Sequence, residues 1–259
     1  MSHGHTNFSR YFALKQRAYL INISEERDRD HYESLSGTII ECSGDCLTLQ
    51  IPYVMDHESA GATAYKITSE SLGSGIQIMA DLIKITTGNI FHLKLRGNLE
   101  MYQRRQTPRV DATLKLFQIR RDSSLAVYRK EYRRILEYMN NQGLPPNLKL
   151  QETVVNLSAG GMCLAIEAHE AASSLALFFI DLDDGKLPVC TVAELVWNRH
   201  DSGKQLGGHR FLQIRKIDQE RISRYVLAHQ KDSGSGTAAP KVNWELLDRM
   251  TFQEPEKKS

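Results

Sequence analysis

The sequence has no uninterrupted apolar run of roughly eighteen residues, the length a membrane-spanning helix needs. Its start, Met1-Ser2-His3-Gly4-His5-Thr6, has no apolar core of a secretory signal. Both absences point to the cytoplasm. Cysteines are few, and Cys42, Cys46, Cys163 and Cys190 do not supply the two matched pairs of a zinc site. Cys42 and Cys46 flank Ser43-Gly44-Asp45, a hairpin-turn sequence, and all four read as reduced, mostly buried small apolar side chains. An excess of one charge is also missing. Lys and Arg total 33 against 31 Asp and Glu, a net charge of +2, where a dedicated nucleic-acid coat would be strongly basic. No nucleophile stands beside a candidate base. His92, His169, His200 and His209 fall singly in strands or turns, Asp183-Asp184 belongs to a turn signal, and His3 with His5 is too few ligands for a metal. No enzyme and no cofactor is expected.

The rest describes an ordinary globular chain. Its 259 residues are 41% hydrophobic and 25% charged, enough for one large or two medium domains. Phe8, Tyr11, Phe12 and Leu14 suggest a short helix or an ordered arm. Tyr19–Ile23 reads as a strand, and the charged run over 24–30 as a solvated loop. Thr38–Cys42, Leu47–Ile51, Thr63–Ile67, Ile76–Ile85 and Ile90–Leu95 then follow as short strands with turn signals between them, the pattern of a small β-barrel.

Residues 99–109 read as a hinge. Beyond it, Val110–Ile119 alternates like a strand. Residues 121–141 carry Leu125, Tyr128, Tyr132, Ile135, Leu136 and Met139 at helical spacing, stopped by Gly143 and Pro145-Pro146. Strands resume at Leu148–Val155, Met162–Ile166, Leu175–Leu182, Leu187–Trp197 and Gln205–Ile217, and a helix opens at Asp218 with an acidic first turn. The predicted fold is mainly β. A barrel over 1–98 is followed by the hinge over 99–109 and a six-stranded barrel over 110–230, with an inserted helix and a terminal helix. Residues 231–259 form a flexible tail, with Val242, Leu246, Leu247 and Met250 at helical spacing around Trp244.

Two short runs carry the chemistry. Gln103-Arg104-Arg105-Gln106-Thr107-Pro108-Arg109 puts three arginines before a strand. A guanidinium grips phosphate as a planar fork, matches O6 and N7 of guanine, and stacks on a base. One such loop can therefore hold both the phosphates and the guanine of a nucleotide, and Pro108 limits its entropy. Asn156-Leu157-Ser158-Ala159-Gly160-Gly161 supplies complementary groups: an amide, a hydroxyl, and two glycines that permit close backbone approach.

Arg105-Gln106-Thr107-Pro108-Arg109 and Asn156-Leu157-Ser158-Ala159-Gly160-Gly161 resemble the RxxxR and [D/N]xSxxG motifs of bacterial PilZ domains. Gln103-Arg104-Arg105 resembles the lead-in of the flagellar-brake type, and Gly208-His209-Arg210-Phe211 resembles the G-x-x-F of the family's last strand. The resemblance covers about 100–225. Residues 15–98 are similar, more weakly, to the split-barrel partner domain of the same two-domain proteins.

The resemblance implies a receptor for cyclic di-GMP. Arg104, Arg105 and Arg109 would hold phosphates and guanines, and Asn156, Ser158, Gly160 and Gly161 would line the barrel face. The ligand would bind as a monomer or an intercalated dimer, the dimer being favoured by Arg104. Binding would reorient the two barrels and change contact with an unidentified downstream protein, in motility, biofilm polysaccharide synthesis, secretion or transcription. The helix inserted at 121–141 departs from the family pattern and reads as an extra packing element or a homodimer surface, in preference to a ligand contact through Tyr128 or Arg133. The alternative is an interaction adaptor that binds no nucleotide. RNA binding fits less well, because no aromatics interleave with Arg104.

Overall fold

A computed structural model describes residues 8–24, 30–53, 64–71, 74–102, 108–146, 148–167, 174–201 and 203–230. His3, His5, most of the charged 24–30 run, Gly73, Arg104, Arg105, His169 and the tail with Trp244 lie outside the described residues.

Phe8–Arg10 forms a single 3-10 turn, and Phe8, Tyr11 and Phe12 are buried whereas Leu14 is exposed. An ordered arm, not a longer helix, therefore leads into β1 (Arg17–Asn22), β2 (His31–Ser43), β3 (Cys46–Gln50), β4 (Ala64–Ser71), β5 (Ser74–Thr86) and β6 (Ile90–Tyr102). These strands run in the order β1-β4-β5-β6-β3-β2, and a β1–β2 pairing closes the ring. Leu20, Ile39, Leu49, Ile67, Ile78 and Phe91 fill it. The tight turn between β2 and β3 uses Gly44 at φ 58°, a backbone state other residues resist.

β6 does not stop where apolar periodicity fades. It pairs with β5 through Gln77↔Glu100, Ile76↔Met101 and Gly75↔Tyr102. Residues 99–102, expected in the hinge, are strand because an equally long β5 satisfies their backbone groups.

The second ring comprises β7 (Val110–Ile119), β8 (Gln151–Ser158), β9 (Gly161–Ala165), β10 (Leu175–Asp181), β11 (Val189–Asp201) and β12 (Lys204–Arg215). Its order is β12-β11-β10-β7-β8-β9, closed by β12–β9. Its interior holds Leu116, Leu157, Phe178 and Phe211, and receives Ile222 and Val226 from α2 (Lys216–His229). α2 continues directly from β12, two residues earlier than expected. Asp218 in its first turn is fully buried: it accepts from Arg215 Nε at 2.6 Å and from Arg221 Nη1 at 2.8 Å. Arg221 also grips both carboxylate oxygens of Asp184, at 2.8 and 2.7 Å, and so ties the Asp183–Lys186 bend to the helix. Of the cysteines only Cys190 is buried. Cys42 and Cys163 are half-buried and Cys46 is exposed, because hairpin ends and the outer barrel face place them at the surface.

The inserted helix is α1 (Leu125–Gln142). Ser124 caps its start by accepting from Val127 N, and the Gly143 N–H closes its end on Met139 O. Leu125, Tyr128, Tyr132, Leu136 and Met139 form its buried stripe and join one apolar cluster with the first ring's interior and the outer residues Leu175, Leu177 and Phe179 of β10. β10 is therefore buried on both faces. Its odd positions meet α1 and its even positions, Ala176, Phe178 and Ile180, fill the second ring. That explains the unbroken apolar run Leu175–Ile180.

The rings touch along β2 and β12, which pair through Glu33↔Gln213, Tyr32↔Ile214 and His31↔Arg215. Arg17 Nη1 donates to Val196 O at 2.7 Å, Arg129 of α1 pairs with Glu33, and the Ser36 hydroxyl donates to buried Glu194, 2.7 Å from Oε1. Among the described residues no helix is long and apolar enough to cross a membrane.

Two outcomes follow from these buried charges. Arg221→Ala leaves Asp218 buried with one cation fewer and is expected to destabilise the fold by about 3–5 kcal/mol in chemical denaturation. Burial raises the Glu194 carboxyl above its ordinary range, with Ser36, Arg17 and Arg210 opposing. A raised folded pKa means that stability is present at acid pH and lost as pH rises through that pKa. Glu194→Gln keeps the contact with Ser36 and is expected to melt higher than wild type at neutral pH. By calorimetry the two should converge near about pH 4, where an ordinary glutamate protonates.

Candidate functional site

The strand register lays functional side chains across the outer face of the second ring in rows. Asp111 of β7 opposes Asn156 of β8, which opposes Cys163 of β9, which opposes Gly208 of β12, which opposes Trp197 of β11. Asn156 Nδ2 donates to Asp111 Oδ1 at 2.8 Å, so its side-chain oxygen remains to accept. At the far end the Trp197 indole occupies the space over Gly208. A Cβ there would come within 2.1 Å of indole Cε2, so only glycine lets the ring lie down. Arg199 sits over the same indole, 5.3 Å from its centroid.

A second row runs Ser158–Gly161–Arg210–Glu194. Asn156 and Ser158 belong to strand β8, and the turn itself is only Ala159 and Gly160. The strand starts at Gln151 and runs later than expected because β7 pairs with it as far as Val110↔Leu157. The Ser158 hydroxyl donates to Gly161 O at 3.0 Å and closes the turn from inside. Gly160 O accepts from Phe211 N at 3.0 Å, and Gln219 of α2 donates to Ala159 O at 3.1 Å, so the turn is held from two further elements. A Cβ on Gly160 would meet nothing, whereas a Cβ on Gly161 would lie 2.1 Å from the backbone oxygen of His209. Gly161 is thus the position where β9 and β12 come too close for any side chain.

These rows floor a cleft of about 430 Å³, a size that suits a nucleotide-scale ligand. Arg109, Asn156, Ser158, Gly160 and Gly161 all line it. The opposite wall is the first ring, with Tyr19, Lys66, Thr68 and Gln77. Burial raises the Cys163 thiol, with Arg199 and Arg109 opposing and Asp111 adding to the rise. His209 also borders the cleft but is no acid–base group. Burial, then the Arg120 charge, pushes it down to about 3. Its neutral Nε2 accepts from Arg120 Nη2 at 2.5 Å, and its ring meets Phe178 edge-on at 5.1 Å.

Of the residues singled out in the sequence, Arg109, Asn156, Ser158, Gly160 and Gly161 come together, while Arg104 and Arg105 lie outside the described residues. Tyr128 is turned away, accepting from Arg121 N and donating to Leu175 O, and Tyr128 and Arg133 do not line the cleft. Trp197, Arg210 and the wall of the first ring were not legible as site residues. Trp197 had one signal, an aromatic on the strand before the one that carries the Gly207-Gly208 pair. Among the described residues no group of three or more His, Cys, Asp or Glu could hold a metal ion.

Residues 103–228 match the family model of the PilZ domain. A comparison with curated proteins finds no match. Solved structures similar to this chain include the Bacillus subtilis inhibitor of motility MotI/DgrA, 15% identical over 86% of this chain and 100% of that one, with a TM-score of 0.37. YcgR from Escherichia coli in complex with c-di-GMP is 13% identical over 83% of each chain, with a TM-score of 0.30. The K. pneumonia MrkH–c-di-GMP complex is 15% identical over 83% of this chain and 86% of that one, with a TM-score of 0.29.

The contact at Gly161 has a direct consequence. Gly161→Ala drives a methyl into backbone and is expected to cost about 3 kcal/mol or more, read as a lowered melting temperature, whereas Gly160→Ala meets open space and should melt like wild type.

Proposed function

We propose that the PilZ domain formed by residues 103–228 makes this chain a bacterial receptor for cyclic di-GMP, one that binds the dinucleotide between its two rings and performs no chemistry on it. The observation that carries this reading is the convergence of Arg109, Asn156, Ser158, Gly160 and Gly161 on one cleft. They come from the strand start after the arginine run, from β8 and from the turn, and the fold gathers them on one face.

The roles follow from the chemistry of each group. Arg109, with Arg104 and Arg105 from the segment just before it, supplies forks for phosphate and guanine edges. Trp197 offers an indole for a base to stack on, with Gly208 beneath it. Asn156, pinned by Asp111, presents its oxygen to a guanidinium or a base N–H. Gly160 leaves open space for close approach.

Because one wall of the cleft belongs to each ring, a ligand that fills it alters their separation and draws on the segment 103–109 that links them. A change in ring arrangement is then the output, read by a downstream protein.

Isothermal calorimetry tests the reading on the full chain. Wild type is expected to bind cyclic di-GMP, and Arg105→Ala and Arg109→Ala are each expected to weaken binding at least about tenfold, the loss of a charge-assisted hydrogen bond. Unchanged heats in both variants refute it. Absence of binding by wild type leaves the interaction adaptor as the better account.

A further inference from the structure

Arg210 sits where the cleft meets the junction of the rings. It lines the cleft beside the motif turn, opposite Gly161 on β9. Because Gly161 has no side chain, nothing from that neighbour screens the guanidinium from the turn. The same guanidinium reaches across to the first ring. Its Nη2 donates to the Ser34 hydroxyl at 2.6 Å, and its Cζ lies 3.7 Å from the centre of the Tyr19 ring. Ser34 is fully buried and Tyr19 is itself a cleft residue, so both contacts are made at the junction. Arg210 Nε is buried with no hydrogen-bond partner among the described residues. On the other side of Arg210, its cross-strand neighbour Glu194 takes the Ser36 hydroxyl. Ser34 and Ser36 are two apart on β2 and so share a face. Arg210 and Glu194 thus meet two serines of the first ring in a small polar lattice.

We propose that Arg210 is a coupling residue: its guanidinium is held by Ser34 and Tyr19 of the first ring when the cleft is empty, and an anionic ligand phosphate in the cleft competes with them for it. This rests on the cyclic di-GMP reading of the cleft and adds the route by which occupancy reaches the first ring. A phosphate is the stronger partner, because a charge-assisted, bidentate contact outweighs one hydroxyl acceptor and a ring face. Drawing the guanidinium toward phosphate removes two contacts that hold the first ring against the cleft. The apolar cluster around α1 and the β2–β12 ladder lie outside this exchange and keep the rings joined.

The competition makes a prediction that a merely structural role for Ser34 does not. Ser34 does not line the cleft, yet Ser34→Ala frees Arg210 and should tighten cyclic di-GMP binding about fivefold to tenfold in calorimetry on the full chain. Arg210→Gln should weaken binding about tenfold, and in that background Ser34→Ala should bring no gain, which closes a double-mutant cycle on the pair. The coupling is overturned if Ser34→Ala binds no tighter than wild type, or if its gain persists without Arg210. The first of these stands even where Arg210→Gln fails to fold. Failure of wild type to bind cyclic di-GMP removes the functional reading and the coupling together, whereas binding by wild type with no gain in Ser34→Ala removes the coupling alone.

Discussion

The cleft depends on a pairing that closed barrels are built to avoid. A closed ring has no free edge to offer a neighbour, yet β2 and β12 pair through three residues each. They can do so because each strand overhangs its ring. β1 covers β2 only from Ser34 to Thr38, leaving His31–Glu33 bare, and β9 covers β12 only from Leu206 to Arg210, leaving Gln213–Arg215 bare. Two overhangs satisfy each other's backbone groups, and that sets the first ring over the outer face of the second. Every wall residue of the cleft, from Tyr19 to Trp197, is placed by this junction.

The junction has two characters. On the α1 side it is apolar, with Tyr132, Leu136, Phe179 and Val192 in one cluster with the first ring. On the cleft side it is polar, with Ser34, Ser36, Glu194 and Arg210 in contact across it. Apolar area resists exposure to water in proportion to its size, while hydrogen bonds traded for water lose little. The two sides therefore respond unequally to any force that separates the rings: the polar side yields first, and α1 sits on the side that holds.

Much of this was legible in the sequence. Alternation gave most of the strands of both rings, and the 3.6-residue period gave α1, because each of those elements has one wet face. β10 could be found but not oriented, since both its faces are dry and the run Leu175–Ile180 shows no period. Residues 99–102 show little apolar periodicity because they owe their strand conformation to β5, about twenty-five residues away in the chain. Asn156 and Ser158 lie beyond the strand end expected at Val155, because only the register with β7 keeps them in strand. Arg210 lay within a quoted motif, yet its meaning comes from Ser34 and Tyr19, and no local pattern links residues so distant in sequence. Asp218 showed the same limit. An acid in a first helical turn suggests the helix dipole, and only the fold reveals Arg221 and Arg215 around it.

The turn at Ala159 and Gly160 borders the cleft, but it is also a stop. β9 is only five residues long, and the turn ends its run along β12 with the single bond from Phe211 N to Gly160 O. Had the turn come a few residues earlier in the chain, β9 would have continued down β12 and covered Gln213–Arg215. β2 would then have found no edge to join, and the two rings would be beads on a string. The position of one dipeptide thus acts as a ruler, and what it measures out is whether the chain is a joined pair or two separate barrels.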